Sequence, residues 1–595
     1  MVRSARKIAP LLRSLFFGSA MTVSTMVSIA GAATVLVSCA SEDDPKTHVK
    51  RLDDPAQSAA AVKRLIQFFE DAMTRDKKDR NGPTVKPLLD TIVEPMTKAC
   101  EGTILDERTR SSVVKFLSDA RDKRGMACFK KVLDGYKSNT NEEDVRWVAR
   151  AASAEKLTEL SDSMLKVFTT IKVSEPKAAT IYRDVHDAVV ELATPAYEGT
   201  MIGLLDKPID KSKDMKTLKN ELFWQITAAE ILGKLKSEKA VKPLIKAVLS
   251  PAKADVAATA VSALIRIGKP SIAAATEVLT SSDAELVKYS TEENLMGAAG
   301  ADGKIPEASK KAAEKAHIAT AAIILATIGR EEATPVIISQ IGKTDDNTVK
   351  AVLARELTKL PRTAQSVETF KAVFDKLPMD AMIPPGQGAK ESLLDASGVF
   401  FDSSLVGWIS KNAVDAKGEA QDVDAVRGSM LLAALKIARP EQLPDIQAIV
   451  ELKTAGEGGK PSTVGKAYEK EVKITKALLE SCKEQVECYV AKVAEGDSQE
   501  KETQFQGIKA AYMLGVLGGP EVKDKIIGVL PKVTNAAVRF VTVSVLDFHS
   551  PKGDVALADK LQKMVDDAIE KKDTEMITAN SPVPTVIHRL RARAQ

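Results

Sequence analysis

Ala228-Ala229-Glu230-Ile231-Leu232-Gly233-Lys234-Leu235 is followed, after a short polar turn, by Ala240-Val241-Lys242-Pro243-Leu244-Ile245-Lys246-Ala247-Val248-Leu249. Apolar side chains recur at spacings of three and four, so each half lays one apolar stripe along a helix. Gly233 and the turn Lys236-Ser237-Glu238-Lys239 close the first helix on this pattern. Pro243 falls in the first turn of the second, where a missing N–H forfeits no hydrogen bond. The unit recurs from Val256 to Ile272 around Gly268-Lys269-Pro270, and Gly233 to Gly268 spans 35 residues, a solenoid period.

Further copies keep the order helix, glycine, turn, proline, helix. Ala321 to Gly329 precedes Ala333-Thr334-Pro335-Val336, and Val349 to Leu360 continues it. Met430 to Ile437 precedes Leu443-Pro444, Ala510 to Gly518 precedes Val522 to Leu530, and Ala536 to Leu546 begins the last copy. These segments resemble HEAT repeats, in particular the short type first associated with phycobilisome lyases. The likeness is clearest over 222–280 and 315–360, weaker over 428–450 and 505–550, and lacks its glycine–proline punctuation over 60–200. The implied fold is all-α: an α-solenoid, in which helical pairs bury a continuous seam against their neighbours and leave a superhelical groove. With aromatic residues at only 4%, the composition also favours helices over an all-β fold. Residues 61–210 are expected as a divergent helical region, where a non-repeat bundle is the alternative, and 211–595 as the repeat array. Loop insertions are expected near 298–306, 378–388 and 456–465.

The N-terminus carries an address. Arg3, Arg6, Lys7 and Arg13 precede an apolar run from Leu15 to Leu36, and Leu36-Val37-Ser38 lead into Cys39. This order resembles the signal peptide and lipobox of bacterial lipoproteins, with Cys39 as the lipidated residue. An uncleaved membrane helix, or an ordinary signal peptide cut after Ala30-Gly31-Ala32, are the alternatives. The resemblance implies residues 1–38 as a removed signal, 39–60 as a flexible tether, and a lipid anchor in the bacterial envelope. With Ala40 rather than aspartate after the cysteine, it implies the outer membrane sooner than the inner.

Cleavage changes the charge argument. Residues 1–38 hold all of the net +4, leaving 81 basic against 81 acidic side chains, so no net positive field would attract nucleic acid. Four cysteines remain, an even number suited to an oxidising compartment. The short Cys482–Cys488 spacing between apolar helical segments favours one disulfide and Cys100–Cys128 a second, although four cysteines allow three pairings and each could be a small buried hydrophobe.

Chemistry is sparse. His48, His186, His317, His549 and His588 are scattered, and no zinc, haem, phosphate-loop or nucleophile-elbow motif occurs. Deoxyhypusine hydroxylase, a HEAT-like enzyme, binds irons through His-Glu pairs, and this chain has no His-Glu dipeptide. Neither a cofactor nor a metal is expected. The carboxylate pairs Glu42/Asp43, Glu142/Glu143 and Asp345/Asp346 read as solvated turns, and Trp147 and Trp224 as core rather than ligand-stacking residues, with Trp408 a further aromatic candidate. Lys239, Lys242 and Lys246 share one helix face and are candidate groove contacts to an acidic partner, or a solvated stripe. The expectation is a membrane-anchored scaffold binding a protein or peptide, not an enzyme. An enzyme or accessory subunit using insertion-loop residues, and a mechanical spacer, are the alternatives.

Overall fold

The computed structural model describes residues 42–298, 304–384, 386–417, 420–453, 463–571 and 581–595. The lipobox Leu36-Val37-Ser38-Cys39 lies outside them, as do residues 299–303, 385 and 456–462 of the three expected insertions. Among the described residues no single helix is long and apolar enough to cross a membrane.

The first part is an open stack. Its helices are α1 (Pro45–Lys50), α2 (Ser58–Arg75), α3 (Val85–Glu101), α4 (Glu107–Ala120), α5 (Met126–Asp134), α6 (Glu142–Ala154), α7 (Ser161–Thr170), α8 (Tyr182–Glu191) and α9 (Glu198–Leu205). Two rows form: α2, α4, α6 and α8 pack in succession, and α3, α5 and α7 run alongside. Residues 61–210 thus continue the solenoid, their apolar stripes buried between rows without glycine–proline punctuation. The expected tether is corrected here. Residues 45–60 are not free: α1 packs on α2 and α3, burying His48 and Leu52, because the first pair of a solenoid otherwise exposes its apolar flank.

The second part closes on itself. It comprises α10 (Met215–Lys234), α11 (Val241–Leu249), α12 (Ala254–Ile267), α13 (Lys269–Leu279), α14 (Ala284–Ala298), α15 (Glu307–Ile328), α16 (Ala333–Lys343), α17 (Asn347–Leu357), α18 (Ala364–Lys376), α19 (Ala389–Ser397) and α20 (Leu405–Asp415). There follow α21 (Ala420–Ile437), α22 (Leu443–Val450), α23 (Thr463–Ala467), α24 (Glu469–Cys482), α25 (Val486–Glu495), α26 (Lys501–Leu517), α27 (Pro520–Val529), α28 (Ala536–Phe548), α29 (Val555–Glu570) and α30 (Pro582–Arg593). In succession α12, α15, α17, α19, α21, α26, α28 and α30 pack each on the next, and α30 packs back on α12. The groove expected to run the length of the array is therefore closed into a ring over its second half. The insertion at 378–388 is a small antiparallel hairpin of β1 (Met382–Ile383) and β2 (Gln387–Gly388).

Gly233 lies in the last turn of α10, one residue before the end at Lys234, and has a second role. A Cβ there would come within 2.6 Å of the Ala263 Cα, so the glycine lets α10 and α12 touch backbone to backbone. Gly268 and Gly329 terminate α12 and α15, at φ +83° and +76°.

A recurring cap joins neighbours in each row. The last carbonyls of a helix lack intrahelical donors and carry the negative end of its dipole. Lys131 of α5 reaches the carbonyls closing α3, at Cys100, Glu101 and Gly102. Lys166 of α7 bonds the Asp134 carbonyl at 2.7 Å, and Lys234 of α10 those of Val190 and Glu191 at 2.7 and 2.9 Å. Farther along, Lys509 is fully buried and donates to the Lys436 and Ala438 carbonyls at 3.1 and 2.8 Å, closing α21. Burial holds its amine well below the usual lysine range.

Candidate functional site

The closing helix is Pro582-Val583-Pro584-Thr585-Val586-Ile587-His588-Arg589-Leu590-Arg591-Ala592-Arg593. Prolines preset its first turn, and Val583, Val586, Ile587 and Leu590 form its buried stripe. Arg589 and Arg593, both 8% exposed, act as caps for several helices at once. The guanidinium of Arg593 donates to the Gly329 carbonyl at 2.7 Å and the Asp547 carbonyl at 2.9 Å, closing α15 and α28. Arg589 donates to the Lys359 carbonyl just past α17, at 2.9 Å. In return, Arg330 donates to the Ala592 carbonyl at 2.6 Å, closing α30.

Asp547 sits between the two arginines, 3.0 Å from Arg589 Nη2 and 3.1 Å from Arg593 Nη1. Burial outweighs that carboxylate and lowers the Arg589 guanidinium to about 10. Gly329 is required twice over: its φ is positive, and a Cβ there would meet Arg589 Nη2 at 2.3 Å.

Two separate polar contacts lie here, the first between the open stack and α10, the second within the ring. His186 on α8 contacts Glu230 of α10 at 3.0 Å, and Arg266 of α12 donates to His588 Nε2 on α30 at 2.9 Å. The two histidines titrate in opposite directions. Desolvation works against the charged His186, but hydrogen bonds to Asp187 and Glu230 prevail and raise it to about 9. Burial, with Arg266 and Arg591 beside it, lowers His588 to about 3.

Inside the ring lies a cavity of about 660 Å³. Tyr512, Phe540 and Phe548 provide its aromatic wall, and Arg355, Lys359, Arg589 and Arg593 its cationic one. On the open stack, a broader depression of about 970 Å³ lies between the starts of α4 and α6. Asp106, Glu107, Glu142, Glu143 and Asp144 line it against Arg108 and Lys177. Glu142 is 3% exposed with Oε2 unpartnered. Burial raises the Asp144 carboxyl although the Ser111 hydroxyl donates to it.

The residues singled out in the sequence are dispersed. Lys239, Lys242 and Lys246 pair with Glu198, Asp283 and Glu285 at 2.9, 2.8 and 2.6 Å, bridging adjacent helices of the array. Trp224 donates to the Phe168 carbonyl at 2.9 Å, and Trp408 packs edge-on to Phe374 with ring centres 5.1 Å apart. Trp147 is ringed by Lys115, Arg146 and Arg150 within 5.6 Å. The carboxylate pairs are not mere solvated turns: Asp346 caps α17 through the Thr348 and Val349 amides, Glu142 is buried, and Glu42 binds Arg51. Cys100 is bonded to Cys128 and Cys482 to Cys488, with Cα separations of 5.6 and 5.3 Å. Among the described residues no cluster of three His, Cys, Asp or Glu side chains is placed to hold a metal ion.

Arg589, Arg593, Arg330 and Asp547 were not evident as functional residues from sequence. Their one local signal is a terminal helix whose arginines fall on the same side as its apolar stripe.

The comparisons place only the centre of the chain. Residues 224–296 match the model of HEAT repeats. That segment opens at Trp224 and takes in most of α10 and all of α11, α12 and α13. No curated protein matches the chain. Among solved structures, the karyopherin Kap121p bound to the extreme C-terminus of the phosphatase Cdc14p is 11% identical, covering 91% of this chain and 69% of that one at a TM-score of 0.37. Importin beta is 10% identical over 92% of this chain and 84% of its own, at 0.26. SYS-1 in complex with POP-1 is 11% identical over 93% and 99%, also at 0.26. These scores are too low to carry an argument; the helix packing itself establishes the all-α solenoid.

Proposed function

We propose that the protein is a lipid-anchored scaffold of the bacterial envelope, held at a membrane by Cys39, and that its open stack binds a protein or peptide partner. One observation carries the binding role: the depression between α4 and α6 is lined by five carboxylates against two cations, on a stretch where, among the described residues, the chain does not fold back. Its partner is accordingly a basic segment, attracted by the field of those carboxylates and held by a few central contacts. Two disulfides favour an oxidising compartment, which agrees with export. The scaffold does no chemistry of its own.

Affinity capture from solubilised envelopes tests the binding role. Wild-type protein should recover a specific partner that Glu107→Lys/Glu143→Lys loses, and identical recovery by both would contradict it. Fractionation of Cys39→Ser tests the anchor: the folded protein should leave the membrane fraction, and retention there would refute lipid tethering.

A further inference from the structure

We propose that the cavity within the ring is a binding site for a small organic anion with an apolar body, such as an aryl carboxylate or sulfonate. Its volume, about 660 Å³, is in the range of sites that enclose a small molecule. Two features of the wall point to the ligand's chemistry.

The first is charge. Arg355, Lys359, Arg589 and Arg593 line the cavity with Asp395 and Asp547. The neighbours pairing with them are Lys436, on Asp395, and the fully buried Glu356, shared by Arg355 and Lys359. Five cations thus face three carboxylates, and the balance is unmet. Arg589 also has its Nε buried without a hydrogen-bond partner. That atom is closed off from the cavity; it is the surplus of cations along the wall that an anion there offsets.

The second is an aromatic surface at the same place. Phe540 is 53% exposed although it belongs to a packed helix, and it lines the cavity with Phe548 and Tyr512. An isolated exposed aromatic calls for no explanation, but one lining a cationic cavity gives an apolar body its resting face. The closing helix contributes Ser581, Pro582, Thr585, Val586, Arg589 and Arg593 to the wall, so the site exists only in the closed ring. It is independent of the acidic depression on the open stack.

The test uses the folded full-length mature chain and two fluorescent probes of similar shape: 1-anilinonaphthalene-8-sulfonate, an anion, and the neutral N-phenyl-1-naphthylamine. The anion should bind saturably with one molecule per chain, about tenfold or more tighter than the neutral probe, a difference of about 1.4 kcal/mol. Phe540→Ala should weaken it about tenfold, and Ser544→Trp, which fills the cavity from the α28 side, should abolish it. Lys359→Gln should weaken the anion and leave the neutral probe unchanged. Thermal melts verify that each variant is folded; Phe540, being exposed, is the least able to perturb folding. Equal affinity for the two probes, several sites per chain, or undiminished binding by Ser544→Trp would overturn the proposal.

Discussion

The open stack and the ring are built from the same helical pairs and capped by the same device, yet they end differently. In the stack each cap is local: Lys131, Lys166 and, reaching back from α10, Lys234 each close a helix in the adjoining repeat. In the ring the caps on Gly329 and Lys359 come from Arg593 and Arg589, 264 and 230 residues farther along the chain. A solenoid with local caps grows by neighbour contacts and stays open, whereas one whose last helix caps its middle becomes a single cooperative unit. The difference is set by where the arginines lie, not by the repeat.

The largest expected effect comes from removing the charge that holds the closure. Asp547→Ala leaves two buried guanidinium groups without their carboxylate and should cost the ring about 3–5 kcal/mol. Hydrogen exchange should show faster opening of α12, α15 and α30, with α2 to α8 unchanged; equal loss in both regions would erase the distinction.

Next come the disulfides, one in each region. Cys100–Cys128 closes a 28-residue separation in the stack and Cys482–Cys488 a separation of 6 in the ring. Chain entropy predicts losses of about 3.6 and about 2.4 kcal/mol on replacement by serine, read by urea unfolding. A larger loss at Cys482–Cys488 would show that the ring depends on its staple more than on loop length.

Acidity separates the two histidines. His588 is neutral in the fold to about pH 3, while the unfolded chain takes up the proton near its ordinary value of 6.5. Its contribution is therefore full above pH 6.5 and declines by about 1.4 kcal/mol per pH unit as pH falls below it. His186, raised to about 9, behaves oppositely: its contribution is full below pH 6.5 and is lost as pH rises through about 9. Urea titrations from pH 5 to 9.5 should lose the acid slope in His588→Gln and the alkaline slope in His186→Gln. The smallest effect belongs to Lys239→Ala: its pair with Glu198 is solvent-exposed, so the melting temperature should be nearly unchanged.

The helical pairs around Gly268 and Pro270 are legible because spacing, cap and proline all act within a few residues. Gly233 was legible as a helix-end glycine, but its close approach to Ala263 was not, since it involves another helix. The polar stretch at 45–60 looks like a tether because its buried side chains, His48, Leu52 and Ser58, are few and mostly polar. The lysine caps are unmarked in the sequence, for a donor serving a different helix has no local signature. The ring closure is the extreme case: its bonds run from side chains to main-chain carbonyls hundreds of residues away, and a carbonyl is common to every residue.

The closure itself is open to a direct distance measurement. Spin labels on exposed Lys269→Cys at the start of α13 and Gln595→Cys just beyond α30 are to be read by double electron–electron resonance in the otherwise disulfide-intact chain. A closed ring predicts one short, narrow distance that broadens and lengthens on adding Asp547→Ala. A long, broad distribution in the unaltered chain, indifferent to Asp547, would contradict it.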